Sequence, residues 1–190
     1  MFTREELKNN LIGCAEIALF MPNGVERYDS SKSAAIRSFL VTLILLPAVV
    51  AVWAYRAGSV PAGLVVGLHL AHFVLSAVLF LTVVYFLSKQ YNREEHFFRF
   101  ITAVNWQGVT GVFLVFPVLA AVLFGWDIEP WENYSIFVTL LSYVYTGFIV
   151  TYVFRIPWEL GGFVAVIALA VDQNLLEVVK HLQDYLGPGI

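Results

Sequence analysis

The amino-acid sequence predicts an all-α integral membrane protein: a helical bundle of five transmembrane helices preceded by an amphipathic N-terminal helix. Three observations carry that prediction. Of 190 residues, 59% are hydrophobic and 13% charged, against roughly 45–50% and 25% in soluble domains. Residues 57–88, 100–126 and 133–154 contain no Asp, Glu, Lys or Arg, and each exceeds the roughly 20 residues needed to cross a hydrocarbon core of about 30 Å. Two further apolar stretches, 38–55 and 160–182, complete the set, with short charged or turn-rich segments between them.

Residues 1–33 are expected to form a cytoplasmic helix and linker, and residues 34–186 the bundle. Met1 to Pro22 is interrupted by Glu5, Glu6, Lys8 and Glu16, so it lacks the continuous apolar stretch of a cleavable signal peptide. Thr3 and Glu6 fit a capping box. Leu7, Leu11, Cys14, Ala15, Ala18 and Leu19 recur at helical spacing, with Glu5, Asn9 and Glu16 largely opposite, and Pro22, Asn23 and Gly24 end the helix. Such a helix lies at the headgroup boundary, docks on a partner, or covers the end of its own bundle. The last is the expected arrangement.

The predicted spans are 36–55, 62–87, 101–125, 135–154 and 158–180. Pro47 in the first and Pro117 in the third would kink or loosen their helices. The second carries a row of small residues, Gly63, Gly67 and Ala71, a spacing that lets helix backbones approach closely. It suits packing inside the monomer or a homodimer seam. The fifth has a fully apolar run over residues 160–171 only, about 18 Å of helix. It must continue through Asp172 to span, with Asp172 turned into the bundle; a re-entrant or interfacial final segment, which would return the C-terminus to the cytoplasm, is the alternative.

Lys and Arg counts set the expected orientation, because cytoplasmic loops retain positive charge during insertion. Arg4, Lys8, Arg27, Lys32 and Arg37 precede the first span, Lys89, Arg93 and Arg99 follow the second, and Arg155 follows the fourth. Only Arg56 and Lys180 fall on the other side, and the segment 126–133 holds Asp127, Glu129 and Glu132 without a cation. The N-terminus is thus expected inside and the C-terminus outside. Trp53, Tyr55, Trp126, Trp131 and Tyr134 would form the outer aromatic belt, and Tyr85, Tyr91, Trp106 and Trp158 the inner one.

Ionisable groups within spans are the candidates for chemistry, since each is costly in hydrocarbon. His69 and His72 lie three apart on the second span, with Ser76 a turn further in and Tyr55 or Arg56 above. Asp172 falls at a similar depth on the fifth span. Imidazole beside carboxylate could hold a proton, bind a cation or steer a substrate; otherwise the imidazoles donate to backbone carbonyls and Asp172 sits at the interface beside Lys180. Near the cytoplasmic boundary, Asn105 and Gln107 suit interhelical hydrogen bonding rather than substrate contact.

The sequence carries no motif for a metal or an organic cofactor. His69-x-x-His72 lacks further ligands at motif spacing, two histidines on one helix cannot clamp a haem from both faces, and the lone Cys14 excludes an intramolecular disulfide. There is no Gly-rich phosphate loop or nucleophile elbow, so no cofactor and no enzymatic activity are expected. A net charge of −3 argues against nucleic acid as a partner.

Tyr28-Asp29-Ser30, then Arg37-Ser38-Phe39, then Ala103-Val104-Asn105-Trp106 resemble segments of a group of uncharacterised small multi-pass inner-membrane proteins of proteobacteria, in which Tyr stands where this chain has Val104. The threading, with a cytoplasmic N-terminus and five spans, also resembles the Yip family. The resemblance implies architecture and a bacterial inner membrane. The function expected first is a non-catalytic membrane protein acting through protein contacts: an accessory subunit, assembly factor or organiser. The alternative is a small homo-oligomeric transporter or proton-linked permease using His69, His72 and Asp172. Expected partners are the lipid bilayer and other membrane proteins or a second copy of the chain.

Overall fold

Six α-helices carry the chain in the computed structural model, which describes residues 2–55, 60–127 and 129–186. They are α1 (Arg4–Ala18), α2 (Lys32–Tyr55), α3 (Ala62–Gln90), α4 (Phe97–Phe124), α5 (Glu132–Phe154) and α6 (Trp158–Leu186), with short stretches of tighter helix at Pro22–Arg27, Glu94–His96 and Glu129–Trp131. No strand occurs among the described residues. Helices α2 to α6 are long and apolar enough to cross a membrane. Arg56 and the side chain of Tyr55, expected above the histidines, fall outside the described residues.

Three of these helix termini show a local cause. Glu6 N donates to Thr3 Oγ1 at 3.1 Å and Thr3 N to Glu6 Oε2 at 3.4 Å, so the capping box satisfies donors that would otherwise be free at the start of α1. Gly125 ends α4 in the left-handed region, φ 67°. Arg155 does the same after α5 at φ 54°, a conformation that costs a residue with a Cβ and turns the chain sharply before Pro157. Pro47 and Pro117 sit inside uninterrupted α2 and α4.

The five spans pack in the cyclic order α2, α3, α6, α5, α4 and back to α2. Short connections make consecutive helices antiparallel, and the α3 to α6 contact closes the ring. The densest core lies at the end where α1 rests: Cys14, Ile17, Val25 and Tyr28 join Phe100, Ala103, Trp106, Tyr145, Val153 and Phe154 in one buried cluster. Helix α1 packs on α4 and α5. It buries Asn10, Gly13, Cys14 and Ile17, while Leu7, Leu11 and Leu19 are 42%, 44% and 72% exposed. This corrects the expected apolar face by a partial turn. Close approach decides it: a Cβ on Gly13 would lie 2.9 Å from Tyr28 Cζ, and Cys14 Sγ donates to the Trp106 carbonyl at 3.1 Å. A bulkier leucine face could not come so near.

The row of small residues on α3 also departs from expectation within the chain. A Cβ added at Gly63 or Gly67 meets nothing within 4 Å, and Ala71 is exposed. Internal close packing occurs instead between α5 and α6, where a Cβ on Gly147 would lie 3.0 Å from the Gly161 carbonyl oxygen and one on Gly161 would lie 2.6 Å from that of Gly147. Helix α6 runs unbroken for 29 residues, about 43 Å at 1.5 Å per residue. It is one continuous helix, long and apolar enough to cross a membrane, with no break of the kind a re-entrant segment needs.

A candidate proton-binding site between α3 and α6

Antiparallel packing of α3 on α6 brings His72 and Asp172 to the same depth, about 15 Å from the start of α3. His72 Nε2 lies 3.2 Å from Asp172 Oδ1 and 3.1 Å from the Asp172 carbonyl oxygen. Ser76, one turn along α3, donates to Asp172 Oδ1 at 3.3 Å and lies 3.4 Å from His72 Nε2. The His72 side chain is 10% exposed and that of Asp172 29%. Tyr143 of α5 lines the same pocket as Asp172 and Ser76.

Continuing α6 past its apolar run places a carboxylate below the surface, where an unpaired charge costs several kcal/mol. An imidazole N–H and a hydroxyl lower that cost. With Asp172 ionised and His72 neutral the pair carries one negative charge; one added proton makes it neutral overall, as an ion pair or as two uncharged groups. A proton shared between imidazole and carboxylate thus leaves the pair without net positive charge.

The pair stands between two pockets. On the side away from α1, a pocket of about 460 Å³ is lined by Trp53, His69, His72, Lys180 and Gln183 among others. On the α1 side, a pocket of about 220 Å³ is lined by Ser76, Tyr143, Thr146 and Asp172 with apolar neighbours. It shares Val104 and Thr146 with a third, of about 160 Å³, which holds Gln107, Ser142 and Tyr145. There α1 closes the way: Tyr145 OH donates to the Ala18 carbonyl at 3.1 Å, and Phe20 stacks on the Tyr145 ring at 5.1 Å.

The other expected residues divide. His69 is not joined to Asp172; its ring stacks on Trp53 at 4.9 Å and 13° between planes. Asn105 ties α4 to α2, donating to Ser38 Oγ at 2.8 Å and accepting from Thr42 Oγ1 at 3.3 Å. Gln107, expected to bond between helices, has both amide atoms buried and without a protein partner, and it faces the third pocket. Lys180 lies two turns beyond Asp172 rather than beside it. Sequence reading passed over Tyr143, Ser142 and Thr146 on α5, although Ser135, Thr139, Ser142 and Thr146 recur at helical spacing as a polar stripe on that helix. It also passed over Gln183.

Compared with known protein families, curated proteins and solved structures, the chain matches none.

Proposed function

We propose that this protein is a small proton-linked permease of a bacterial inner membrane, with its N-terminus cytoplasmic and its C-terminus periplasmic. The observation that carries this reading is the His72, Ser76 and Asp172 cluster standing between two pockets inside a ring of apolar helices. An ionisable pair at that depth is retained against its desolvation cost where a proton or ion must pass. The Lys and Arg distribution supports the orientation, and the choice of a bacterial inner membrane rests on the resemblance of three short segments to small proteobacterial membrane proteins. In that orientation the larger pocket opens to the periplasm while α1 and the dense core seal the cytoplasmic end. A proton then reaches His72 and Asp172 from outside, and release inward requires the seal of Tyr145, Phe20 and Ala18 to part. Asp172 is the proton acceptor, His72 its partner, and Ser76 holds the carboxylate.

A second reading, an accessory subunit or homo-oligomer, draws on the outward-facing row of Gly63, Gly67 and Ala71, which fits a second copy or another helix. One experiment separates the two. Purified protein is reconstituted into liposomes holding a pH-sensitive dye, and proton entry is followed on adding candidate solutes under an imposed pH gradient. The permease reading expects solute-dependent proton entry that falls at least about tenfold in Asp172→Asn and in His72→Ala at equal incorporation, since an uncoupled pair has no carrier for the proton. Equal flux in both variants overturns it. No flux above empty liposomes, together with a partner protein at fixed ratio in the purified sample, selects the accessory reading.

A further inference from the structure

We propose that the pocket on the N-terminal side of His72 along α3, beyond Asp172 along α6, binds a small organic monoanion. Its role as the transported solute rests on the proton-linked reading above; its recognition chemistry does not. The polar groups that α3 and α6 turn to this pocket are cations or hydrogen-bond donors: Lys180, His69, His72 and the Gln183 amide. Among the described residues no Asp or Glu lines it. Asp172, the nearest acid, has its carboxylate held by His72 and Ser76 and turned to the neighbouring pocket. Glu177 and Asp184, on the same helix as Lys180, are exposed and do not line it.

Two further observations point to a ligand. Gln183 Nε2 is buried without a partner, a donor left waiting where most buried donors are bonded. Among the described side chains no acid forms an ion pair with Lys180. A carboxylate placed between them would accept from both. The remaining walls, Trp53, Val65 and Leu176, are apolar and suit an organic body, and the pocket of about 460 Å³ falls in the ordinary range for small-molecule sites. One lysine balances one negative charge; a dianion would keep an unpaired charge in a partly apolar pocket, and a cation would meet Lys180. Because His72 lines this pocket, a proton arriving on the pair adds positive character to its wall, so proton and anion binding favour each other.

The test is equilibrium dialysis of radiolabelled benzoate against the full-length protein in mild detergent at pH 7, with detergent alone as the blank. Benzamide and benzylamine serve as neutral and cationic counterparts of the same shape. The expected result is saturable benzoate binding with neither counterpart competing. Lys180→Gln should weaken binding by about tenfold or more, the loss of one charge-assisted hydrogen bond, and Lys180→Arg should restore most of it. Lys180 is exposed, so these variants keep the fold. The same chemistry is offered by an acidic lipid headgroup: displacement by phosphatidylglycerol but not phosphatidylcholine makes the monoanion a lipid, and displacement by soluble carboxylates alone makes it a solute. No saturable binding up to about 10 mM, a free energy below about 3 kcal/mol, or equal competition by benzamide, overturns the proposal. Dialysis needs no flux, so failure here leaves the proton pathway standing, and a protein that moves no protons can still bind benzoate.

Discussion

Cys14 shows what a buried thiol does when a helix packs closely over it. The side chain is 4% exposed, donates to the Trp106 carbonyl at 3.1 Å and accepts from Tyr28 OH at 3.5 Å. Burial is the main cause that pushes its pKa from 9.0 up to about 11, the Tyr28 hydrogen bond opposing it. The thiolate is the reactive form, so a maleimide at pH 7 should label folded Cys14 at least about 100-fold more slowly than an exposed thiol, from the loss of thiolate alone. Labelling should become complete once the protein is unfolded in detergent and denaturant. Rapid labelling of the native protein would mean that α1 leaves the bundle. The sign for stability follows: the folded thiol resists ionisation, so its contribution is whole below pH 9 and is lost as pH rises toward about 11. None of this was legible in the sequence, where Cys14 is one apolar position among several. Asp172 was legible as a problem, an acid that a spanning helix must turn inward, and His69 and His72 as candidate partners, but which of them meets it was not, because nothing local says that α3 packs on α6.

At the scale of the element, the number, order and approximate limits of the helices were legible, since hydrocarbon thickness sets span length and charged segments mark the ends. Which face of each helix meets which neighbour was not. Lipid and protein interior are equally apolar, so hydropathy cannot separate a lipid-facing leucine from a packed one, and close approach follows backbone shape instead. The two rows of small residues illustrate it. Gly63, Gly67 and Ala71 have the better-known spacing and face outward, while Gly147 and Gly161, on different helices, make the contact. Paired substitutions on α6 test that contact. A Cβ at Gly161 would overlap Thr151 Oγ1 and lie 2.6 Å from a backbone oxygen, which cannot swing aside. A Cβ at Gly162 meets nothing within 4 Å. Gly161→Ala should therefore lower thermal stability in detergent, by about 1–3 kcal/mol for an overpacked site, despite alanine's better helix propensity. Gly162→Ala should be neutral or stabilising by up to about 1 kcal/mol. Equal effects at the two positions would place the α5 to α6 contact elsewhere.

For the whole molecule, threading and packing are separate constraints that agree. Charge counting assigns the residues before α2, those between α3 and α4, and Arg155 to one side of the membrane. In the folded chain Glu26, in the turn after α1, accepts from Arg99 at 2.6 Å and from Arg155 at 3.2 Å. Cations from α4 and from the turn after α5 are thus gathered at one end by a single carboxylate. Exposed pairs of this kind contribute at most about 1 kcal/mol each, so their meaning is positional: they tie α1 over the end of α4 and α5 where the pockets stop. Orientation then decides function. With this end cytoplasmic, the large pocket and Lys180 face the other side of the membrane, and on the proposed proton-linked reading an incoming proton meets His72 and Asp172 before it meets the seal. A phosphatase that is active only outside the cytoplasm, fused after the C-terminus, should be active, and a fluorescent protein that matures only in the cytoplasm should be dark there and bright when fused to the N-terminus. The reverse pattern would keep the ring and the ionisable pair but turn the pocket to the cytoplasm, so that the same residues would serve export of the anion. A reporter of the same kind inserted after Asp127, at the other end of α4, should side with the C-terminus, because an odd number of spans puts both on the face that lacks the gathered arginines.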